Sequence, residues 1–401
     1  MTFHPAKAPL VASVVSAAAL CGLAACGDPV SATPGVSSAF TPDVTEIASG
    51  LEFPWSIQPL PGGDMLVSER EGRVRLIKDG ELVETPLSGT PTDAYIERQG
   101  GYLDLALHPD FATNRIIYMS YAQGESGDNQ TAIVRARLSE DAMAFEDSEV
   151  IFTADMPEKQ GGGHFGSRIG FLNDGTMLVT LGDGYGWLEE AQNIDNHFGK
   201  ILRLNADGTP AEGNPFAADG GGDPAIYSYG HRNVQGLAYD TERDIIYAHE
   251  HGPKGGDELN IVVAGTNYGW PEISYGVDYD GSIITPHTEK DGMAQPAVKW
   301  VPSIAPSGMA LYTGDVYPGW TGDLFIGAMN GPAGRKLVRV DLDAKGQPIG
   351  TEDIPLGDGL GFRDVVQGND GYLYLASNDI DGGIYRLDMT EAEGVVVSED
   401  S

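Results

Sequence analysis

The chain has 401 residues, room for roughly two to three average domains or one large β architecture. Hydrophobic residues make up 41%, with 55 Gly and 25 Pro, so there is enough apolar material for a large core and many tight turns, and whole-chain disorder is excluded. The 59 acidic residues outnumber the 24 basic ones for a net charge of −35; that sign repels phosphate backbones and anionic lipid surfaces, which excludes nucleic acid as a partner, and the two cysteines, Cys21 and Cys26, cannot supply a disulfide framework.

Residues 1–25 read as an address. Lys7 is the one formal charge, and Leu10 to Ala25 is apolar or small throughout, the length of a signal h-region and short for a membrane span. The run ends in Leu23-Ala24-Ala25-Cys26-Gly27, which resembles a bacterial lipobox with Cys26 as the lipidated mature N-terminus; an ordinary signal peptide is the alternative. The expectation is a lipid-anchored protein of the bacterial cell envelope, facing the periplasm or the cell surface. Residues 26–44 are small, Pro-rich and polar and read as a tether. Residues 391–401 read as a frayed acidic tail.

Between them, over 45–390, one pattern recurs six times. A short apolar run is followed by Asp, Asn or Gly turn residues, a second β-rich run, and a third in which Arg or Lys often sits among aliphatics. The first unit has Ser56–Leu60, Met65–Val67 and Gly72–Ile77, and the second has Leu103–Leu107, Ile116–Ser120 and Ala132–Leu138. Arg168–Phe171, Met177–Thr180 and Gly199–Leu204 form the third; Gly236–Tyr239, Ile245–Ala248 and Glu258–Ile261 the fourth. The fifth runs through Gly308–Tyr312, Leu324–Gly327 and Lys336–Val340, and the sixth through Arg363–Val366, Tyr372–Leu375 and Gly383–Leu387. Each run is strand length, and the Asn-Asp-Gly steps are hairpin turns. Runs apolar on both alternations suit sheets covered on both faces. Units that cannot bury their own faces stack around an axis, so the fold class is all-β, a six-bladed β-propeller. The repeat is long for a propeller, which puts large loops near 155–165, 182–198, 206–230 and 265–305.

Four loop segments concentrate chemistry. In Gln160–Arg168, His164 stands among glycines where backbone can approach a ligand, and Asp183 lies at the exit of the next strand, on the same rim. A carboxylate beside an imidazole fixes its tautomer and raises its basicity; two independent turn residues is the equally weighted reading. In Ser228–Gly236, Arg232 and Asn233 supply a planar cation and an amide suited to an anionic or quinonoid oxygen, or else a surface ion pair. His249–Glu258 offers carboxylates and carbonyls freed by a Gly-Pro turn, a set that favours Ca2+, with a transition metal open because of the two histidines. Asn267–Pro271 and Trp300–Met309 carry aromatics that wall a planar ligand or sugar, or pack as an apolar loop. No Walker motif, serine elbow or dinucleotide fingerprint is present.

QGGYLDLALHPDF (99–111), GHFGSR (163–168), YGHRNVQGLA (229–238), EHGPKGGDELN (250–260), NYGWP (267–271) and PSIAPSGMALY (302–312) resemble soluble aldose sugar dehydrogenases dependent on pyrroloquinoline quinone (PQQ), a family of six-bladed propellers. The resemblance runs in order through nearly all of 50–390. It implies oxidation of aldoses to lactones by hydride transfer from the anomeric carbon to PQQ, with an electron acceptor still to be identified. It implies His164 as general base, Asp183 as its partner, and Arg232 with Asn233 on the quinone oxygens. Gly252 and Pro253 match carbonyls that hold Ca2+ at PQQ, and Glu258 and Tyr268 match a structural Ca2+ site. Gln99 matches a residue over the active-site face, Arg363 one that pairs with a PQQ carboxylate, and Ser303 a further contact. Where members often carry another Arg and a Lys, this sequence has Gly361 and Asn330, with Arg335 and Lys336 nearby as substitutes; without compensation each loss weakens the hold on PQQ by about 1–3 kcal/mol. Two other functions fit the same fold: a Ca2+-dependent lactonase-like hydrolase, and a non-catalytic binding propeller.

Overall fold

The computed structural model describes residues 30–31, 40–217, 221–329, 335–354, 356 and 361–391. The leader at 1–25, Cys26, Asn330 and the acidic tail beyond Glu391 lie outside them. The described chain is almost entirely β, with one short α-helix at Phe111–Asn114 and one 3-10 turn at Leu188–Gln192.

The strands form six sheets of four, one of them extended by a fifth, two-residue strand. Blade one comprises Pro54–Pro59, Met65–Glu69, Arg73–Lys78 and Glu81–Leu82, and blade two Tyr102–Leu107, Ile116–Glu125, Asp128–Leu138 and Phe145–Thr153. Blade three comprises Ile169–Phe171, Met177–Thr180, Lys200–Leu204 and Ile226–Tyr229, and blade four Val234–Asp240, Ile245–Glu250, Asp257–Val262 and Val298–Trp300. Blade five comprises Pro306–Leu311, Leu324–Ala328, Lys336–Leu342 and Pro348–Ile354. Blade six takes Phe362–Gln367, Leu373–Ser377 and Gly382–Glu391, and closes with Phe40–Leu51 from the other end of the chain. The first strand of each blade packs against the first strand of the next, all the way round.

The six three-strand units of the sequence are the inner three strands of these blades. The closing strand corrects the expected tether. Residues 40–44 are part of a long antiparallel pairing that runs from Phe40 opposite Glu391 to Leu51 opposite Gly382, and Val30–Ser31 pairs in parallel with Val298–Lys299 at the edge of blade four. The propeller therefore begins at 40 rather than 45. A tether sequence joins the sheet because the last strand of blade six presents a row of free backbone donors and acceptors that need partners.

Apolar side chains fill the wedges between blades. Leu66, Val74, Met119 and Val134 sit between blades one and two, Met177, Val179 and Tyr118 between two and three, and Leu324, Val338 and Leu259 between four and five. Each such side chain contributes about 1.5–3 kcal/mol on burial, so truncating one, such as Leu375 in the wedge between blades five and six, costs about 2–5 kcal/mol.

Candidate active site

The loops at one end of the ring converge on its axis. There Arg168, entering the first strand of blade three, reaches Asp104 of blade two at 3.1 Å and Asp364 of blade six at 2.9 Å. These three buried side chains tie three blades together and form a floor. Burial pushes the Asp364 pKa up to about 6 against the pull of Arg168.

His164 stands above this floor. Its backbone has φ +49°, an uncommon conformation for a residue with a side chain, and is held there because its N–H donates to Gln99 Oε1 at 2.8 Å. Gly182 makes the fit possible: a Cβ on it would lie 2.4 Å from the His164 carbonyl oxygen. The next residue, Asp183, then meets the imidazole, with Nδ1 and Oδ1 2.6 Å apart. The same carboxylate accepts from Tyr185 N and from Trp270 Nε1, both at 2.8 Å. Three donors on two oxygens hold it rigidly, with Nδ1 of His164 as the protonated nitrogen. Nε2 is left without a hydrogen-bond partner among the described residues. Burial pulls the His164 pKa below its usual value, and the Arg232 charge adds to this against the opposing pull of Asp183. Burial works to raise Asp183, but the charges of His164 and Arg232 prevail and its pKa is lowered. A neutral imidazole beside an ionised carboxylate is the arrangement of a general base near pH 7.

Arg232 and Asn233 follow at the entrance to blade four. Asp183 N donates to the Arg232 carbonyl at 2.8 Å, which joins this segment to the His164 rim. The guanidinium is held by its own donors: Nη1 reaches Gly252 O at 2.7 Å and His251 O at 3.1 Å. It also lies 5.3 Å from the centre of the Trp270 ring. Asn233 Oδ1 accepts from Gly166 N at 3.2 Å.

Two hollows flank this segment. One, at the axis, is walled by Trp55, Gln99, Asn233, Gln235 and Arg363, with Phe165 and Gly166 from the His164 loop. The other, of about 330 Å³, is walled by Asp183, Tyr185, Arg232 and Trp270 and by the loop carrying Tyr279 and Ile283. His164 lies between them, its following residues lining the first and its carboxylate partner the second. The axial hollow, of about 80 Å³, sets Arg70 and Arg363 beside Trp55 and Phe165, a lining whose chemistry suits the carboxylates of a flat anionic cofactor and whose size holds one end of it. The outer one, with exposed Tyr185, Tyr279 and Ile283 at its mouth, suits a polyhydroxylated ring.

A third, tight space is lined by Glu250, Gly252, Pro253, Glu258 and Tyr268. Glu250 and Glu258 are direct cross-strand neighbours. Glu250 accepts from His231 Nδ1 at 2.9 Å and Asn260 Nδ2 at 3.2 Å, whereas Glu258 has a single contact to Asn260 at 3.5 Å. Burial, reinforced by the Glu250 charge, drives the Glu258 pKa well above normal. A buried carboxylate so poorly paired fits a hard cation, and the oxygen donors around it fit Ca2+. Of the two histidines here, His251 Nε2 donates to Pro306 O at 2.5 Å, whereas neither ring nitrogen of the buried His249 has a hydrogen-bond partner among the described residues.

Gln99, His164, Asp183, Arg232, Asn233 and Arg363 are thus brought to one place, and Gly252, Pro253, Glu258 and Tyr268 to the space behind it. Ser303 is not with them. Its Oγ donates to Asp257 Oδ2 at 2.7 Å, beside Ile304 N and Ala305 N on the same oxygen, so Asp257 draws it into loop bracing and it lines neither hollow. Arg335 and Lys336 do not line the axial hollow either, Arg335 standing 4.0 Å from Asp379 and Lys336 donating to Asp353 at 2.6 Å. Sequence reasoning missed Trp55, Arg70, Gln235 and Tyr279. Each sits in an ordinary strand or loop context, and only the ring brings Trp55, Arg70 and Gln235 to the axis and Tyr279 to the outer hollow.

The Glucose / Sorbosone dehydrogenase family profile matches residues 51–386. The aldose sugar dehydrogenase YliI of Escherichia coli is 38% identical over 354 residues, covering 86% of this chain and 93% of that protein. A crystal structure of a glucose dehydrogenase superposes with a TM-score of 0.82 at 39% identity, covering 86% of this chain and 99% of that one. The PQQ-bound aldose sugar dehydrogenase of Streptomyces coelicolor superposes at 0.70 with 29% identity, covering 89% and 100%.

Proposed function

The chain belongs to the glucose / sorbosone dehydrogenase family of aldose sugar oxidoreductases, and on that footing we propose that it oxidises aldoses to lactones at the anomeric carbon, using PQQ and Ca2+, with His164 as the base. One observation carries the reading: a neutral imidazole with a carboxylate 2.6 Å from Nδ1 and an open Nε2, lying between a cationic axial hollow and a sugar-sized outer one.

With its carboxylates at the axial hollow, PQQ would supply a two-electron acceptor for the hydride of the anomeric carbon. The chain supplies the rest. His164 Nε2 takes the proton of the anomeric hydroxyl, and Asp183 stabilises the imidazolium that results while holding the ring in the tautomer that can accept. Trp270 and the Tyr185 amide keep Asp183 in place. Arg232, fixed by two backbone carbonyls, presents a cation where negative charge develops, and Asn233 adds an amide. Arg363 faces the carboxylates. The Gly252 and Pro253 carbonyls would hold Ca2+ at the cofactor, where it would supply a Lewis acid, once Arg232 Nη1 gives up Gly252 O; Glu258 and Tyr268 would hold a structural ion. Tyr185, Tyr279 and Trp270 wall the sugar and exclude water.

The test is to add PQQ and Ca2+ to the apoprotein and follow oxidation of an aldose panel with an artificial acceptor. His164→Gln abolishes turnover and leaves PQQ affinity intact. Wild-type protein that binds PQQ yet turns over no aldose refutes the reading. The leader around Cys26 supports an envelope-facing, lipid-anchored protein, which labelling with radioactive palmitate in wild type and Cys26→Ser tests.

A further inference from the structure

The arginines of blade one and of the axis divide into two kinds. Arg73 has Glu52 and Glu69 within 2.9 Å, Arg75 has Glu69 at 3.6 Å, and Arg168 has Asp104 and Asp364. Arg70 and Arg363 have no carboxylate partner among the described residues. Arg363 donates only to amide oxygens, Gln235 Oε1 at 3.1 Å and Asn378 Oδ1 at 3.3 Å. Arg70 makes no side-chain hydrogen bond there at all; its guanidinium lies 4.3 Å from the centre of the Phe53 ring. Both line the axial hollow, and no acidic residue does. In a chain with 59 acids and 24 bases, two unpaired guanidiniums facing one hollow free of acids form a built anion site.

Burial lowers the Arg363 pKa, and the charges of Arg168 and Arg70 lower it further against the pull of Asp364. Burial likewise lowers Arg70, against the pull of Glu71. Arg168 is paired directly with two aspartates, whereas neither Arg70 nor Arg363 has a carboxylate at ion-pair distance among the described residues. The backbone holds Arg70 in place: its N–H donates to Phe53 O at 3.1 Å, and Gly101, whose Cβ would lie 1.8 Å from the Arg70 carbonyl oxygen, lets the loop carrying Gln99 close over it.

We propose that Arg70 is a cofactor-binding residue: together with Arg363 across the seam between blades one and six, it grips carboxylate groups of PQQ. This rests on the PQQ reading above and deepens it. Arg70 then supplies to this hollow a cation that Arg335 and Lys336, which do not line it, do not.

The experiment is calorimetric titration of the full chain, in Ca2+, with PQQ and with its uncharged trimethyl ester. Arg70→Gln is expected to weaken PQQ about 10- to 100-fold, the range for a lost charge-assisted contact, and to leave the ester's affinity unchanged. Arg70→Lys is expected to recover part of the loss. Arg70→Met keeps the stem against Phe53 and deletes only the charge, so it is read in place of the Gln variant if that one fails to fold. Wild-type affinity for PQQ in the charge-deleted variant, or an equal loss for PQQ and ester, overturns the assignment of Arg70 alone. A wild-type chain that binds no PQQ overturns the cofactor reading itself.

Discussion

Replacing Asp183 by Asn tests the base assignment most directly. The carboxylate takes three donors: His164 Nδ1 at 2.6 Å, Tyr185 N at 2.8 Å and Trp270 Nε1 at 2.8 Å. An amide has one oxygen for these. If it faces His164, the amide NH2 abuts the Trp270 N–H; if it faces Trp270, the NH2 donates to Nδ1 and forces the proton onto Nε2, where it blocks proton uptake. In either case the imidazolium loses its counter-charge. Charges about 4 Å apart at an effective dielectric of about 20 interact by about 4 kcal/mol, which is about a thousandfold in rate. The variant should therefore lose about 10³ in kcat in the steady-state dye assay while still binding PQQ. The pH profile adds a sign. Asp183 raises the His164 pKa against burial and Arg232, so removing its charge moves the acid limb of kcat/KM to lower pH. A variant within tenfold of wild type, with its acid limb unmoved, would refute the orienting role.

Gly182→Ala puts a methyl 2.4 Å from His164 O and 2.8 Å from Asn233 Oδ1; turnover should fall at least about tenfold with the fold intact by circular dichroism, and unchanged turnover would refute the close-packing argument. Glu258→Gln should abolish the rise in unfolding temperature that Ca2+ produces in wild type, measured against a chelator. Because the Glu258 pKa is raised in the folded protein, protons compete with the cation, so wild-type Ca2+ affinity should increase with pH. Lys159 is buried, with Nζ donating to Asn129 Oδ1 at 2.6 Å, and burial brings its pKa from 10.5 to about 7. The unfolded chain therefore binds the extra proton between those values, and stability from this group rises with pH there. Lys159→Met should gain stability relative to wild type at pH 6 and lose that advantage as pH approaches 10; a constant difference in thermal unfolding would contradict it.

Strands, turns and motif residues are local properties, and they were legible. Asn173-Asp174-Gly175 and Asn369-Asp370-Gly371 can hardly be anything but tight turns, and runs such as Met177–Thr180 are apolar on both alternations because both faces of a blade are covered. His164, Asp183 and Arg232 stand out in the sequence for a related reason: each sits in a glycine-rich strand entrance or exit, where a large polar side chain has little packing work to do, and the fold brings the three together. The outer strands were not legible. Phe145–Thr153 is half exposed and acidic, and Glu81–Leu82 is two residues long, so neither carries a burial pattern. Nor was the closure, since residues 40–44 read as the end of a tether until their partner from the far end of the chain arrives.

What the amino-acid sequence alone determined is thus the unit of the fold and the side chains able to do the chemistry. What only the tertiary structure decided is which charges are answered and which are left open. Ser303 has the right chemistry and is consumed by Asp257; Arg70 looks like any arginine at a strand end and emerges beside Arg363, nearly three hundred positions away, with no acid between them. Pairing of charges depends on distances between blades, and those distances exist only once the ring has closed.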